Sequence, residues 1–292
     1  MYAGEEAAAR AAGFGVQLID HDAATAGDFE RAVRGVEAEG RGRRFLYRGW
    51  MLMAPAYRGL IDALGRRQWI PISSSQDYEY CHHLVGWARA LGHLTPRSEW
   101  IPHPPPFEPS ELATLLTRFD GPAIVKDYVK TEKHAWEEAC FIPDTRDRAR
   151  AMVVIRRFLE LRGSSFEGGL VIRDFVKLKP DGIDARSGMP LSRELRSYWA
   201  GTQCVAISDY WHNNPTSAVP PIAEEAARRI NRPFFTIDLA MTVDGTWIVI
   251  EVGDGQVSAL PDSLSPEFFY AALRGHVSAD RGTVLGDDGS SL

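Results

Sequence analysis

Two apolar runs near the C-terminus, TIDLAM (236–241) and IVIEV (248–252), each carry a single acid, and Asp244–Gly245 lies between them. The runs read as strands, and Asp-Gly between apolar strands is a strong signal for a two-residue type I′ hairpin turn. That turn fixes the register. With Val243 paired to Thr246, Asp238 faces Glu251 across the ladder. Directly opposed side chains have Cβ atoms about 4.5–5.5 Å apart, and two carboxylates at that spacing repel. A positive charge between them resolves the conflict. Oxygen ligands on a rigid sheet suit Mg2+, which takes a few carboxylates and completes its shell with phosphate and water. The exit Gly253–Asp254–Gly255 brings Asp254 toward the same ion. The alternative is an exposed pair neutralised by solvent or by a neighbouring Lys or Arg.

Cations interrupt other apolar strands. In AIVKDYVK (123–130), alternation puts Ile124, Lys126, Tyr128 and Lys130 on one face. Two ammonium groups there call for an anion such as phosphate, unless the segment is an exposed edge on which lysines deter aggregation. The following loop, TEKHAWEEA, adds Lys133 and His134 but lacks the glycines of a Walker-type loop. Arg173 sits in the middle of LVIRDFVKL, and a buried guanidinium needs a partner, usually phosphate or carboxylate. In ELRSYW, Glu194, Arg196 and Tyr198 share a face, where an ion pair between Glu194 and Arg196 is the simpler explanation. Arg48, at the end of a strand in LYRGW, occupies the usual ligand position of an open α/β sheet.

Helix and strand signals alternate through the first third of the chain, which implies parallel βαβ units. The chain opens in a helix with no strand before it, so a first strand is expected to be missing. The proline-rich stretch IPHPPPFEP (101–109) reads as a stiff connector, giving an α/β domain over 1–108. Beyond it, over 109–280, mixed α+β signals end in antiparallel hairpins, and 281–292 reads as a flexible tail. With 292 residues, a formal charge of −6 and 45% hydrophobic residues, the composition excludes disorder and disfavours a nucleic-acid coat. No apolar run approaches the ~18 residues of a membrane span, and the acidic start lacks the order of a signal peptide. Cys81, Cys140 and Cys204 are too scattered for a disulfide framework, so a cytoplasmic location is expected. His82 and His83 read as helix-surface residues, and Ser73–Ser74–Ser75 as the cap of the following helix or a carboxylate contact.

The order of these signals, P-A-I-V-K, L-V-I-R-D-F-V, E-L-R, I-D-L-A and I-E-V-G-D-G, resembles the ATP-grasp superfamily, in particular the clade named for a signature arginine and two lysines. The resemblance spans about residues 40–262. It implies a pre-ATP-grasp domain (1–108) and an ATP-grasp domain (109–280) with a lid lobe (about 121–174) and a C-terminal lobe (about 175–280). By the same resemblance Lys126 contacts ATP phosphates with Lys130 or Lys133 assisting, and Arg173 stands where many members have an acid. Asp174–Phe175–Val176 is similar to the hinge whose backbone reads adenine. Asp238, Glu251 and Asp254 hold Mg2+, with Asp254 substituting for the usual asparagine at Gly253. Arg196 steadies the transferred phosphate or the acyl intermediate, and Arg48 and Glu194 complete the substrate site. TEKHAWEEA replaces the glycine-rich flap.

Such a site activates a carboxylate as an acyl phosphate for attack by an amine or thiol. The expected activity is therefore ATP-dependent ligation of small-molecule or peptide substrates. The alternatives are a phosphotransferase without ligation and a non-catalytic nucleotide-binding or partner-docking module. The sequence leaves the oligomeric state open.

Overall fold

The computed structural model describes residues 3–38, 40, 42–183, 190–212, 218–276 and 283–287. Among these, three four-stranded sheets and one two-stranded ribbon organise the chain. The first sheet holds strands β1 (Gly15–Ile19), β2 (Arg43–Arg48) and β3 (Trp69–Pro71). Helix Ala54–Arg66 crosses from β2 to β3 and buries Tyr57, Leu60, Ala63 and Leu64, an apolar stripe at helical spacing.

The place between β1 and β2 is filled from the other end of the chain. Strand β14 (Thr283–Asp287) pairs in parallel with both. This corrects one expectation: 283–287 is not a flexible tail. Two backbone ladders hold these five residues, which local sequence pattern does not reveal. Residues 281–282 and 288–292 of the expected tail lie outside the described residues.

The central lobe is an antiparallel sheet of β4 (Ser98–Ile101), β5 (Ala123–Lys126), β6 (Phe141–Ile142) and β7 (Leu170–Asp174), in the order β4-β7-β5-β6. Helices Pro109–Leu116 and Arg148–Arg162 cover it, their Leu112, Leu115, Leu116, Val154, Ile155 and Phe158 packing on Val125, Leu170 and Ile172. Because β4 pairs with β7, this sheet begins at Ser98, before the prolines. The boundary at 108 therefore moves. The proline stretch follows the end of a strand, where no ladder needs its missing N–H groups.

After a short ribbon, β8 (Pro180–Ile183) with β9 (Pro190–Ser192), the C-terminal sheet contains β10 (Glu194–Ala200), β11 (Gln203–Asp209), β12 (Phe235–Met241) and β13 (Trp247–Asp254). Its order is β11-β10-β12-β13, antiparallel throughout. The β12–β13 turn is not the expected two-residue one. Thr242 N donates to Thr246 O at 2.9 Å around a three-residue loop, and Gly245 takes φ +86°. Glycine adopts that left-handed conformation without a Cβ clash. The longer loop pairs Leu239 with Val249, one step off the expected register, and a bulge at Ile250 then restores it. Asp238 does pair with Glu251, but through two offsets that cancel. Among the described residues no helix is long and apolar enough to cross a membrane.

Candidate functional site

A cleft of about 570 Å³ lies between the central and C-terminal sheets. Its floor is one cross-strand row: Arg196, Asp238 and Glu251 are successive partners on β10, β12 and β13. The positive charge beside the acid pair is Arg196. Its Nε donates to Asp238 Oδ1 at 2.8 Å and its Nη2 to Oδ2 at 2.6 Å, the bidentate geometry that suits a guanidinium. Nη1 donates to Ala259 O at 3.1 Å, and the group lies 4.6 Å from the Tyr210 ring centroid. Burial opposes the charge on Arg196, but Asp238 holds its pKa well above the ordinary value. Burial pushes the Asp238 carboxyl up, against the pull of Arg196.

Glu251 has no hydrogen bond or ion pair within the described residues. Although enclosure in the cleft works against its charge, Lys126, Lys133, Arg196 and Lys130 together hold its carboxyl below the usual range. Solvent reaches it from the open side of the cleft. Lys126 is 8% exposed and donates only to Val129 O, at 3.2 Å. Burial lowers its pKa to about 8, with Glu251 opposing and Arg173 reinforcing the shift. Arg173 donates to Thr95 Oγ1 at 2.8 Å and to Val249 O at 3.4 Å, and lies 5.6 Å from the Trp87 ring centroid. Of the two partners expected for it, phosphate or carboxylate, no carboxylate pairs with it among the described residues. Burial brings its pKa down to about 10, against the pull of Glu251.

The alternation expected along 123–130 stops at Lys126. Asp127, fully buried, accepts from the N–H groups of Val129 and Lys130 at 2.8 and 2.6 Å and pairs with Arg162 at 2.9 Å. This Asx turn ends the strand and sends Tyr128 away, onto Gly168, Gly169 and His83. Lys130 and Lys133 nevertheless line the cleft. The segment read as a polar loop forms a 3₁₀ turn (Lys133–Ala135) and a π turn (Trp136–Cys140). Trp136 stacks on Phe141, and both pack against Phe175. Of the expected hinge, Asp174 N is spent on Arg97 O and Phe175 N on Pro122 O. Val176 lines the cleft, and its N–H meets no acceptor in the described residues.

Three expectations fail. Asp254 does not join Asp238 and Glu251: its Oδ1 accepts from Gln256 N and Nε2 at 2.9 and 3.1 Å, on the side of the first domain. No group of three or more His, Cys, Asp or Glu is gathered to hold a metal among the described residues. Three residues after Glu251 on an alternating strand, Asp254 belongs to the opposite face. Arg48 is not open to a substrate. It is 1% exposed, bidentate to Glu5 at 3.0 and 2.9 Å, and donates to the carbonyls of Gly255, Gln256 and Ser258. Its charge has a structural use, which a strand-end position does not reveal. His82 and His83 are not surface residues: their side chains are 3% and 12% exposed, and His83 Nε2 lies 3.0 Å from Glu167 Oε1.

Glu194 lines the cleft without pairing with Arg196, whose guanidinium is turned to Asp238. Burial pushes its pKa up to about 7, with Lys133 opposing and Asp238 adding to it. Ser74 caps helix Ser75–His82 in a capping box with Asp77. Thr95, Asp127, Tyr210 and the Trp136–Phe141–Phe175 cluster had not been singled out. Only Asp127 left a local signal, an acid two and three residues before the N–H groups it binds.

A family model for an ATP-grasp domain, family 3 of the clade named for an arginine and two lysines, matches residues 114–273. A search of curated proteins found no significant sequence match. Among solved structures, a RimK domain protein ATP-grasp from Sphaerobacter thermophilus is 15% identical, with 90% of this chain and 98% of that one covered at a TM-score of 0.52. N5-carboxyaminoimidazole synthetase from Staphylococcus aureus is 10% identical, with 87% and 64% covered at 0.50. The ATP-grasp ligase PsnB, complexed with a minimal precursor, Mg and ADP, is 12% identical, with 75% and 66% covered at 0.42. With the family model spanning more than half its length, the chain belongs to the ATP-grasp superfamily, in the arginine-and-two-lysines clade.

Proposed function

We propose that the protein is an ATP-dependent ligase that joins a carboxylate, by way of an acyl phosphate, to an amine or thiol. One observation carries the reading: Lys126, Lys130, Lys133 and Arg173 line a single cleft with Glu251, and none of the four pairs with a carboxylate in the described residues. Four cations without a carboxylate partner, gathered in one cleft, suit a polyphosphate. Val176, with its unused N–H beside Phe175 and Trp136, suits the base.

Glu251 and Asp238 fit magnesium entering with the nucleotide, since Glu251 lacks a protein partner and magnesium takes one or two carboxylates besides phosphate. Bound there, the ion would neutralise charge on the phosphate oxygens. The lysines hold the γ-phosphoryl group while a carboxylate oxygen of the acid attacks phosphorus. The new O–P bond forms as the bond to ADP breaks. The amine or thiol then attacks the acyl carbon, the C–O bond to phosphate breaks, and the nucleophile's proton leaves with solvent or phosphate. Arg196, held rigid by Asp238, stabilises the tetrahedral oxyanion. The central lobe acts as the lid that keeps water from the acyl phosphate. The three cysteines are unpaired, which fits a reducing compartment such as the cytoplasm.

The test is ADP release with pooled amino acids and peptides, with hydroxylamine present to trap an acyl phosphate as a hydroxamate. Wild-type protein should yield both products, and the D238N and E251Q variants neither. ADP without hydroxamate would indicate phosphotransfer instead.

A further inference from the structure

Large apolar side chains exposed singly on a surface need no explanation, but several together mark a binding surface. Among the described residues one stretch gathers three: Trp50, Met51 and Met53 are 45%, 39% and 48% exposed, within four consecutive positions. The others, such as Leu18, Ile70, Val243 and Phe268, lie far apart in sequence. The three follow β2, at the carboxyl end of a strand in a parallel sheet, where open α/β sheets bind ligands. The loop is held by its backbone. Tyr47 Oη donates to Trp50 O at 2.7 Å. Tyr78 Oη donates to Leu52 O at 2.6 Å and accepts from Leu52 N at 3.1 Å. Leu52 itself is 2% exposed and packs in the first-domain core with Tyr57, Tyr78 and Val257. The fold thus fixes the loop and presents three large apolar side chains at its surface.

Met51 joins this patch to the cleft, which it lines together with Lys126 and Glu251. Among the described residues that precede the central sheet, Met51, His82 and Pro96 are the ones that line it. None is charged at neutral pH, since burial lowers the His82 pKa to about 4 against the pull of Glu167. The arginines nearest in role are engaged, Arg48 with Glu5 and Arg196 with Asp238. The central and C-terminal sheets therefore give the cleft its charges, and the first domain gives it an apolar side. An acid brought to the phosphate site commits its reacting carboxylate there. A second carboxylate would meet no cation from the first domain, whereas an apolar body would meet Met51, whose flexible thioether adapts to varied shapes. We propose that the acid activated here is a monocarboxylate with a large apolar body, which Trp50, Met51 and Met53 hold at the rim of the cleft. The inference rests on the ligase reading and names the class of acid within it.

Ligand-observed NMR titration of the full chain, saturated with ADP and magnesium, tests this with 4-phenylbutyrate, adipate, acetate and 4-phenylbutanol. ADP binding, measured alone by calorimetry, tests the ligase reading separately, and without it both readings fall. 4-Phenylbutyrate should bind at least tenfold more tightly than the other probes. Adipate carries a second carboxylate in place of the ring, acetate lacks the body, and the alcohol lacks the carboxylate. Equal binding of adipate or acetate, or no binding of 4-phenylbutyrate to protein that binds ADP, would overturn the proposal and leave the ligase reading standing. Equal binding of the alcohol would mean a patch unconnected with the phosphate site, and would overturn it too. Surface substitutions change stability little, so the Trp50→Ser/Met53→Ser variant should fold and bind 4-phenylbutyrate about tenfold more weakly. Unchanged 4-phenylbutyrate binding by that variant would overturn the proposal. So would weaker ADP binding, which would assign the loop to lobe closure, or a wild-type dimer that the variant dissolves in sedimentation velocity, which would assign it to a second copy.

Discussion

Replacing Arg48 with methionine is expected to destabilise the fold strongly rather than to alter substrate recognition. The guanidinium makes two hydrogen bonds to Glu5 and three to the carbonyls of Gly255, Gln256 and Ser258, and it lies 5.5 Å from the Phe269 ring centroid. It thereby pins β2 and the N-terminal helix to the loop after β13. Glu5 is 4% exposed, so Arg48→Met leaves a buried carboxylate with the Tyr270 hydroxyl, at 2.8 Å, as its remaining side-chain donor among the described residues. Breaking a buried pair from one side costs about 3–5 kcal/mol, roughly two to four decades in the unfolding equilibrium. Removing both partners leaves no stranded charge. Glu5→Leu/Arg48→Met should therefore recover a large part of the loss, limited by the Gly255 and Gln256 carbonyls, which lose the Arg48 donor, whereas Ser258 O keeps the Tyr198 hydroxyl. Urea unfolding followed by tryptophan fluorescence measures this as a fall in midpoint at constant slope. A single variant within about 1 kcal/mol of wild type, or a double variant no better than the single one, would refute the argument.

Lys126 sets a pH dependence for nucleotide binding. Its pKa of about 8 means that the ammonium is lost as pH rises through 8, so ADP affinity should hold below pH 7 and decline above 8. Arg in its place should abolish that decline in calorimetry. His82 sets one for stability. Its folded pKa of about 4 lies below the unfolded value near 6.5, so the unfolded state binds more protons between those values. Stability should fall as pH drops from 6.5 to 4, by about 3 kcal/mol, and the His82→Gln variant should lose that part of the urea-midpoint profile. A Cβ at Gly169 would collide with the Ile101 carbonyl oxygen, so Gly169→Ala should lower the melting temperature by several degrees through the central sheet. A melting temperature unchanged in that variant would contradict the close β4–β7 approach.

The parts of the site legible in the sequence were those fixed by local pattern. Apolar runs gave β5, β7, β12 and β13, and a charge inside such a run marked Lys126, Arg173, Asp238 and Glu251. The facing of Asp238 and Glu251 emerged correctly from an incorrect turn, because the Ile250 bulge compensated for the longer loop. Neither feature has a sequence signature strong enough to read. Long-range events were hidden. Arg48 meets Glu5, Gly255 and Ser258 only after the two ends of the chain come together, and β14 enters the first sheet from the far terminus. Asp254 looked like a third metal ligand because it stands close to Glu251 in sequence. Its preference for Gln256 and the first domain is set by strand alternation and by packing across the domain junction. His82 was misjudged for the same reason: a mixed helix face turned into an interface that the sequence does not display.

The claim on which the rest depends is that the cations around Glu251 form a phosphate site completed by magnesium. Calorimetric titration with a non-hydrolysable ATP analogue, with and without magnesium, tests it most directly. Wild-type protein should bind the analogue in a magnesium-dependent manner, Lys126→Met should weaken it about tenfold or more, and Glu251→Gln should erase the magnesium dependence. Equal affinity in all three proteins, indifferent to magnesium, would contradict the account.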